Sequence, residues 1–293
     1  MKTKYSILIL SVLLSACSGS ENNSDAYGNF EAKEVIVSAE AQGKIIEFKA
    51  EEGQSLKKGQ ILGCIDTIPL SLQREQLFAK KQAIASKISN VRAQIEVQEK
   101  QKSIIETEKN RIEQLYNDNA ATIQQLDDIK GKYDIVEKQI AATKTQISSI
   151  SSEMKVVDKQ VDLINEQINR AKIVNPIHGT VLEKYLEENE IAIPGKALYK
   201  IARLDEIELR VYISGAQLPE IKIGQKVKVY ADKDDKTNQE YSGEVFWISD
   251  QAEFTPKIIQ TKEERVNMVY AVKIRVKNDG KLKIGMPGEV IFN

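Results

Sequence analysis

The sequence predicts an α+β protein. A small β-module is split in two, a long antiparallel α-helical coiled-coil hairpin is inserted between its halves, and a small antiparallel β-barrel follows. Three observations carry this. A pattern of glycines and apolar residues occurs twice at one constant offset. Between the copies, apolar residues recur every seven positions. After the second copy, short β-branched and aromatic runs alternate with glycines.

The repeat sets Gly43, Gly53, Gly59, Leu62 and Ile65 against Gly179, Asn189, Gly195, Leu198 and Ile201. The Gly53/Asn189 exchange is diagnostic, because these two residue types best tolerate positive φ. One backbone turn is therefore built twice. The first half covers residues 40–69 and the second 173–204. Ahead of them, 29–39 reads as one strand, Phe30 to Ser38, joining the barrel.

The hairpin covers 70–172. On its first arm Leu70, Leu77, Ile84, Val91, Gln98, Ile105 and Ile112 hold one heptad position without a skip. Ile88 and Ile95 mark a second seam otherwise filled by Lys81, Lys102 and Lys109. The return arm carries Leu126, Tyr133, Ile140, Ile147, Met154, Val161 and Ile168 on one seam, and Ile129, Val136, Thr143, Ile150, Val157, Ile164 and Ala171 on the other. Asn117 to Thr122 is the polar turn.

The barrel, 205–293, takes its strands from Ile207–Ile213, Lys226–Tyr230, Tyr241–Ile248, Met268–Val276 and Glu289–Phe292. Gly224, Gly243, Gly280, Gly285 and Gly288 read as turns between them. Gln251 to Val266 reads as a long charged loop.

Composition narrows the function classes. With 42 basic and 43 acidic side chains interspersed, no basic face exists to release counterions from nucleic acid. Residues 1–16 form a targeting segment, with Lys2 and Lys4 before a short apolar run. Leu14-Ser15-Ala16-Cys17 resembles a bacterial lipoprotein signal, which implies acylation of Cys17 and a polar tether over 17–28. A plain secretory signal with a chance cysteine is the alternative.

The residues make no case for an active site, a cofactor or a metal. His178 is the single histidine and reads as a polar turn residue. Cys64 lies in an apolar run and reads as a core thiol. The pairs Glu51/Glu52 and Glu187/Glu188 sit in turns, where solvation is expected. The helix serines Ser148, Ser149, Ser151 and Ser152 lack a base partner.

The split module with its inserted hairpin resembles the periplasmic adaptor subunits, or membrane fusion proteins of the HlyD family, found in tripartite efflux systems. The resemblance implies that 40–69 and 173–204 are the halves of a lipoyl-like domain. It implies a non-enzymatic adaptor anchored by lipid in the periplasm at the inner membrane, assembled as a homo-oligomer, a hexamer in the family. Such an adaptor links an inner-membrane transporter to a TolC-like outer-membrane channel for small-molecule export. Family members that dock on such a channel carry Arg, Leu, Ser and Leu at set spacings at the tip. Here Arg111, Leu115, Thr122 and Leu126 hold those positions, with Thr in place of Ser. Arg111 and Thr122 would contact the partner, and Leu115 and Leu126 would pack the tip. The segment from Phe254 to Val266 resembles the barrel loop of adaptors paired with ABC-type exporters. The chain's ending at the barrel, without the further membrane-proximal domain of many proton-driven pumps, leans the same way.

Two other function classes compete. A lipoyl or biotinyl carrier would need a lysine at the turn between the halves, and the hairpin occupies that place. A coiled-coil envelope scaffold, such as an activator of cell-wall hydrolases, would need the hairpin but not the duplicated halves.

Overall fold

The structure is a computed structural model and describes residues 24–234, 237–254 and 268–292. Cys17, the expected targeting segment, and the expected charged loop beyond Phe254 lie outside these residues.

The one strand expected over Phe30–Ser38 is two. β1 (Ala26–Glu31) pairs with β10 (Glu206–Ser214) and β15 (Pro287–Phe292) in the barrel, whereas β2 (Glu34–Ser38) pairs with β9 (Ala197–Ala202). The cause is that the segment serves two cores. Phe30 is fully buried in the barrel interior, while Val35 and Val37 pack against the split module.

The split module is a sandwich of two four-stranded sheets. It uses β3 (Gly43–Phe48), β4 (Ser55–Leu56), β5 (Ile61–Ile65), β6 (Lys172–Val174), β7 (Gly179–Lys184) and β8 (Ile191–Ala192). The orders are β2-β9-β7-β4 and β6-β5-β3-β8, so each sheet draws strands from both halves. The halves then exchange backbone bonds in reciprocal pairs. The Ile45 N–H donates to the Glu190 carbonyl at 2.9 Å, and the Val181 N–H to that of Gln54 at 2.9 Å. The Gly53 N–H donates to Val181 and the Asn189 N–H to Ile45, both at 2.9 Å. Gly53 has φ 81° and Asn189 φ 72°, as the exchange predicts.

The glutamate pairs correct the expectation of simple solvation. Glu188 accepts the Phe48 N–H at 2.8 Å, and Glu52 accepts the Lys184 N–H at 3.0 Å. Each half thus completes a strand of the other. Inside, Asn175 is fully buried yet satisfied. Its amide donates to the Lys57 carbonyl at 3.0 Å and accepts the Tyr199 hydroxyl at 3.0 Å. Burial pushes the Tyr199 hydroxyl's pKa upward. Cys64 is free and half-buried rather than core, because irregular registers on both sides of β5 bury Leu62, Gly63 and Ile65 and turn Cys64 outward.

From β5 the chain enters α1 (Ile68–Asn117), with Pro69 in the first turn and the Asp66 carboxylate accepting the Ile68 N–H at 2.9 Å. The chain returns along α2 (Ile123–Arg170) directly into β6. The expected seams are the least exposed rows of both helices. Ile84, Ile95, Leu126, Ile129, Val136, Ile140, Thr143, Val157, Val161 and Ile164 are buried along them. The lysines of the α1 seam are accommodated by cation–π contact. Lys102 and Lys109 lie 4.9 and 4.4 Å from the Tyr133 ring centre. A helix of 50 residues reaches about 75 Å.

The barrel adds β11 (Lys226–Asp234), β12 (Thr237–Ile248), β13 (Glu253–Phe254) and β14 (Met268–Lys277). Six strands close in the order β10-β1-β15-β11-β12-β14, with β14 pairing back to β10. Its core holds Phe30, Leu209, Val211, Val229, Val245, Ile274 and Val290. Gly243 and Gly288, read as turns, lie inside strands. A Cβ on Gly243 would meet the Ile274 side chain at 2.5 Å, and one on Gly288 the Leu209 side chain at 2.7 Å. Their glycines answer to packing. Among the described residues, no helix is long and apolar enough to cross a membrane.

Candidate docking site at the hairpin tip

The tip is made by two helix ends that satisfy their own backbone groups. At the end of α1, Asn119 adopts φ 59°. Its N–H donates to the Tyr116 carbonyl at 3.0 Å, and the Ala120 N–H donates to that of Leu115 at 2.7 Å. This paired bond pattern around a left-handed residue closes a helix. α2 opens on a capping box. Thr122 Oγ1 accepts the Gln125 N–H at 3.2 Å, while Gln125 Oε1 accepts the Thr122 N–H at 2.8 Å. The tip therefore holds one shape on its own.

On this frame the four predicted residues divide. Leu126 is a seam residue, buried at 7% exposure. Leu115 is not buried with it. It is 38% exposed, because it stands three residues past the seam residue Ile112 and so on a flank. Arg111 is exposed, with Nη2 donating to Glu108 Oε1 at 2.7 Å. Such a solvated pair is worth little, so the guanidinium can exchange it for a partner's acceptor at small cost. Thr122 is exposed and spends its hydroxyl on the cap.

Sequence reasoning missed Tyr116 and Ile123, which are also exposed at the tip. The signal was present: both are large apolar residues at the turn, Ile123 outside the seams and Tyr116 one heptad past Lys109, at the end of the second α1 seam. The tip thus exposes Arg111 and three large apolar side chains, Leu115, Tyr116 and Ile123. Apolar anchors next to an arginine are the chemistry of a protein contact. Elsewhere, His178 is exposed, and among the described residues no cluster of His, Cys, Asp and Glu could hold a metal ion.

Residues 33–203 match the family model described as "RND MFP, barrel-sandwich hybrid domain". The chain belongs to the membrane fusion protein family. The matched span takes in both β-halves and the hairpin, so the family is recognised by the split sandwich itself. Membrane fusion proteins are adaptor subunits of efflux systems. Among individual proteins, the chain is similar to the UPF0194 membrane protein YE2891 of Yersinia enterocolitica. It is 23% identical over 291 residues, covering 91% of this chain and 88% of that one. The fold is similar to the crystal structure of MacA from Actinobacillus actinomycetemcomitans, at a TM-score of 0.56 and 21% identity over 90% of this chain and 76% of that one. The periplasmic adaptor protein EmrA is also similar, at TM-score 0.47 and 15% identity over 92% and 98%.

Proposed function

We propose that this membrane fusion protein is a lipid-anchored periplasmic adaptor, tethered through Cys17 at the inner membrane, that links a transporter there to a TolC-like outer-membrane channel. It works without catalysis. The platform and barrel gather copies at the transporter, and the hairpin carries the docking patch about 75 Å away. The observation behind this reading is the self-capped tip, which displays Arg111, Leu115, Tyr116 and Ile123 on a turn that needs no partner to keep its shape. Leu126 supports the patch from the seam, and Thr122 sets the angle at which α2 leaves the turn. Large apolar side chains left exposed together on a tip mark a contact surface.

An ABC-type transporter is the favoured partner, on the resemblance of the Phe254 to Val266 segment. The RND label of the matched family model supports a proton-driven transporter as the second reading. One experiment addresses both. Replacing Arg111 and Leu115 together by alanine is expected to abolish capture of the outer-membrane channel from detergent-solubilised envelopes. Capture of the inner-membrane transporter should persist. Identification of that transporter as an ATPase or an antiporter decides between the readings. Undiminished channel capture would refute the tip assignment.

A further inference from the structure

One groove on the outside of the barrel gathers three features that a plain strand surface does not need. It encloses about 530 Å³ and lies across β10 and β14, between β12 on one side and the linker from β1 to β2 on the other. The first feature is the way Trp247, the only tryptophan of the chain, reaches it. Strand alternation puts one of two neighbouring residues on a given face. Here the register of β12 against β14 slips between Val245 and Trp247, and with that bulge Phe246 and Trp247 both line the groove. Trp247 is left 37% exposed. Bulges of this kind re-aim side chains beside functional sites.

The second feature is a pair of like charges. Glu31 and Glu208 stand directly opposite each other on β1 and β10, which costs stability on a plain sheet. Lys273 holds the two together, 3.7 Å from Glu31 and 3.2 Å from Glu208. Its ammonium also lies 6.0 Å from the Trp247 ring centre, so cation, carboxylates and indole border one space. The third feature is Arg210, opposite Lys273 on β10. Its Nη2 donates to both oxygens of Glu253, at 2.9 and 2.7 Å, while its Nε is buried without a partner. Buried donors left unpaired are rare enough to call for a reason.

The charges decide what fits. Arg210 and Lys273 are already paired with carboxylates. An anion entering the groove would have to approach Glu31 and Glu208, and a cation would have to approach Arg210 and Lys273. An uncharged ligand rich in both donors and acceptors breaks neither pair. The carboxylates keep lone pairs, and the Lys273 ammonium keeps N–H groups, with which to bond it. Trp247 asks for something else: a flat apolar face whose hydrogens meet the negative face of the indole. A pyranose ring supplies both, with hydroxyls around its edge and C–H groups on its face.

We propose that this groove is a saccharide-binding site, in which a sugar ring stacks on Trp247 while its hydroxyls bond Glu31, Glu208 and Lys273. The groove's volume lies within the range of small-molecule pockets. Lys33, exposed on the linker, lines it as well and adds a donor at the rim. A sugar held there touches β12 and the linker together. It therefore ties the barrel to the strand that leads into the split module.

The test follows the emission of Trp247, which reports on the groove alone because the chain has no other tryptophan. The full-length protein, in a detergent without a sugar headgroup, is titrated with N,N′-diacetylchitobiose and separately with maltose. Each is taken to about 10 mM, roughly tenfold above a millimolar Kd. A saturable change in emission is expected with at least one of them. Response to the first alone marks amino-sugar glycan as the source, and response to the second alone marks a neutral saccharide. Calorimetry then measures variants whose folding is checked by their melting midpoints. Trp247→Ala and Glu208→Gln are expected to weaken binding by about tenfold or more. Tyr27→Ala, exposed on β1 outside the groove, is expected to leave it unchanged. No response to either sugar would overturn the proposal, and this outcome needs no variant. Binding that survives Trp247→Ala would overturn it too, as would a response only to benzoate or benzyltrimethylammonium, titrated as charged aromatic probes.

Discussion

Asn189 holds a backbone conformation, φ 72°, that costs an ordinary L-residue roughly 1–2 kcal/mol. Its N–H closes one of the reciprocal bonds between halves. Asn189→Ala is therefore expected to lower platform stability by about 1 kcal/mol, while Asn189→Gly, which copies Gly53, leaves it unchanged or higher. Thermal unfolding followed by circular dichroism measures both, and an alanine variant as stable as the glycine one would contradict the account. This turn was legible because its residue types carry the conformation. Glu52 and Glu188 were not, since their roles depend on strands far away in sequence. Cys64 was misread because a bulge shifts the alternation without leaving a mark in residue type. Leu115 was misread because two leucines near a turn look alike until the heptad is counted through to Ile112.

In the hairpin, the period of seven made both helices and all four seams readable. The polar members of the seams have distinct fates. Thr143 is 5% exposed and returns its hydroxyl to the Gln139 carbonyl at 2.9 Å, whereas Gln98 Oε1 is buried with no hydrogen-bond partner. A buried acceptor without a donor costs about 1–3 kcal/mol. Gln98→Leu should raise the hairpin's melting midpoint, corresponding to about 1 kcal/mol or more, as read from the helical circular dichroism signal. An unchanged or lower midpoint would show that Gln98 finds a donor in the folded arm. At this scale the least legible feature was the break at Ala32–Lys33. No glycine or proline marks it, and only the two cores on either side divide β1 from β2.

Across the whole molecule, carboxylates in every part are held below their ordinary range. Glu137 is lowered by its hydrogen bond and charge contact with Lys102, and Glu183 by the Tyr185 hydroxyl and Lys200. Asp205 is lowered by Arg203, and Asp279 by the Lys281 N–H. A folded-state pKa below the unfolded one gives stability that is complete above the unfolded carboxylate range. It is lost as pH falls through the depressed folded value. Hairpin, platform and barrel should therefore all weaken together on acidification from neutral pH. Glu137→Gln should flatten that dependence for the hairpin alone, as measured by melting midpoints across the acid range. The reciprocal bonding of the platform also sets an order of events during folding. In chain order the first half comes with strands whose partners lie beyond the entire hairpin. It stays incomplete until the last seam of α2 zips and delivers Lys172 beside Cys64. Closing a disordered loop of that length costs entropy that a formed coiled coil has already met. Forming the arm thus brings together the two halves of its own base.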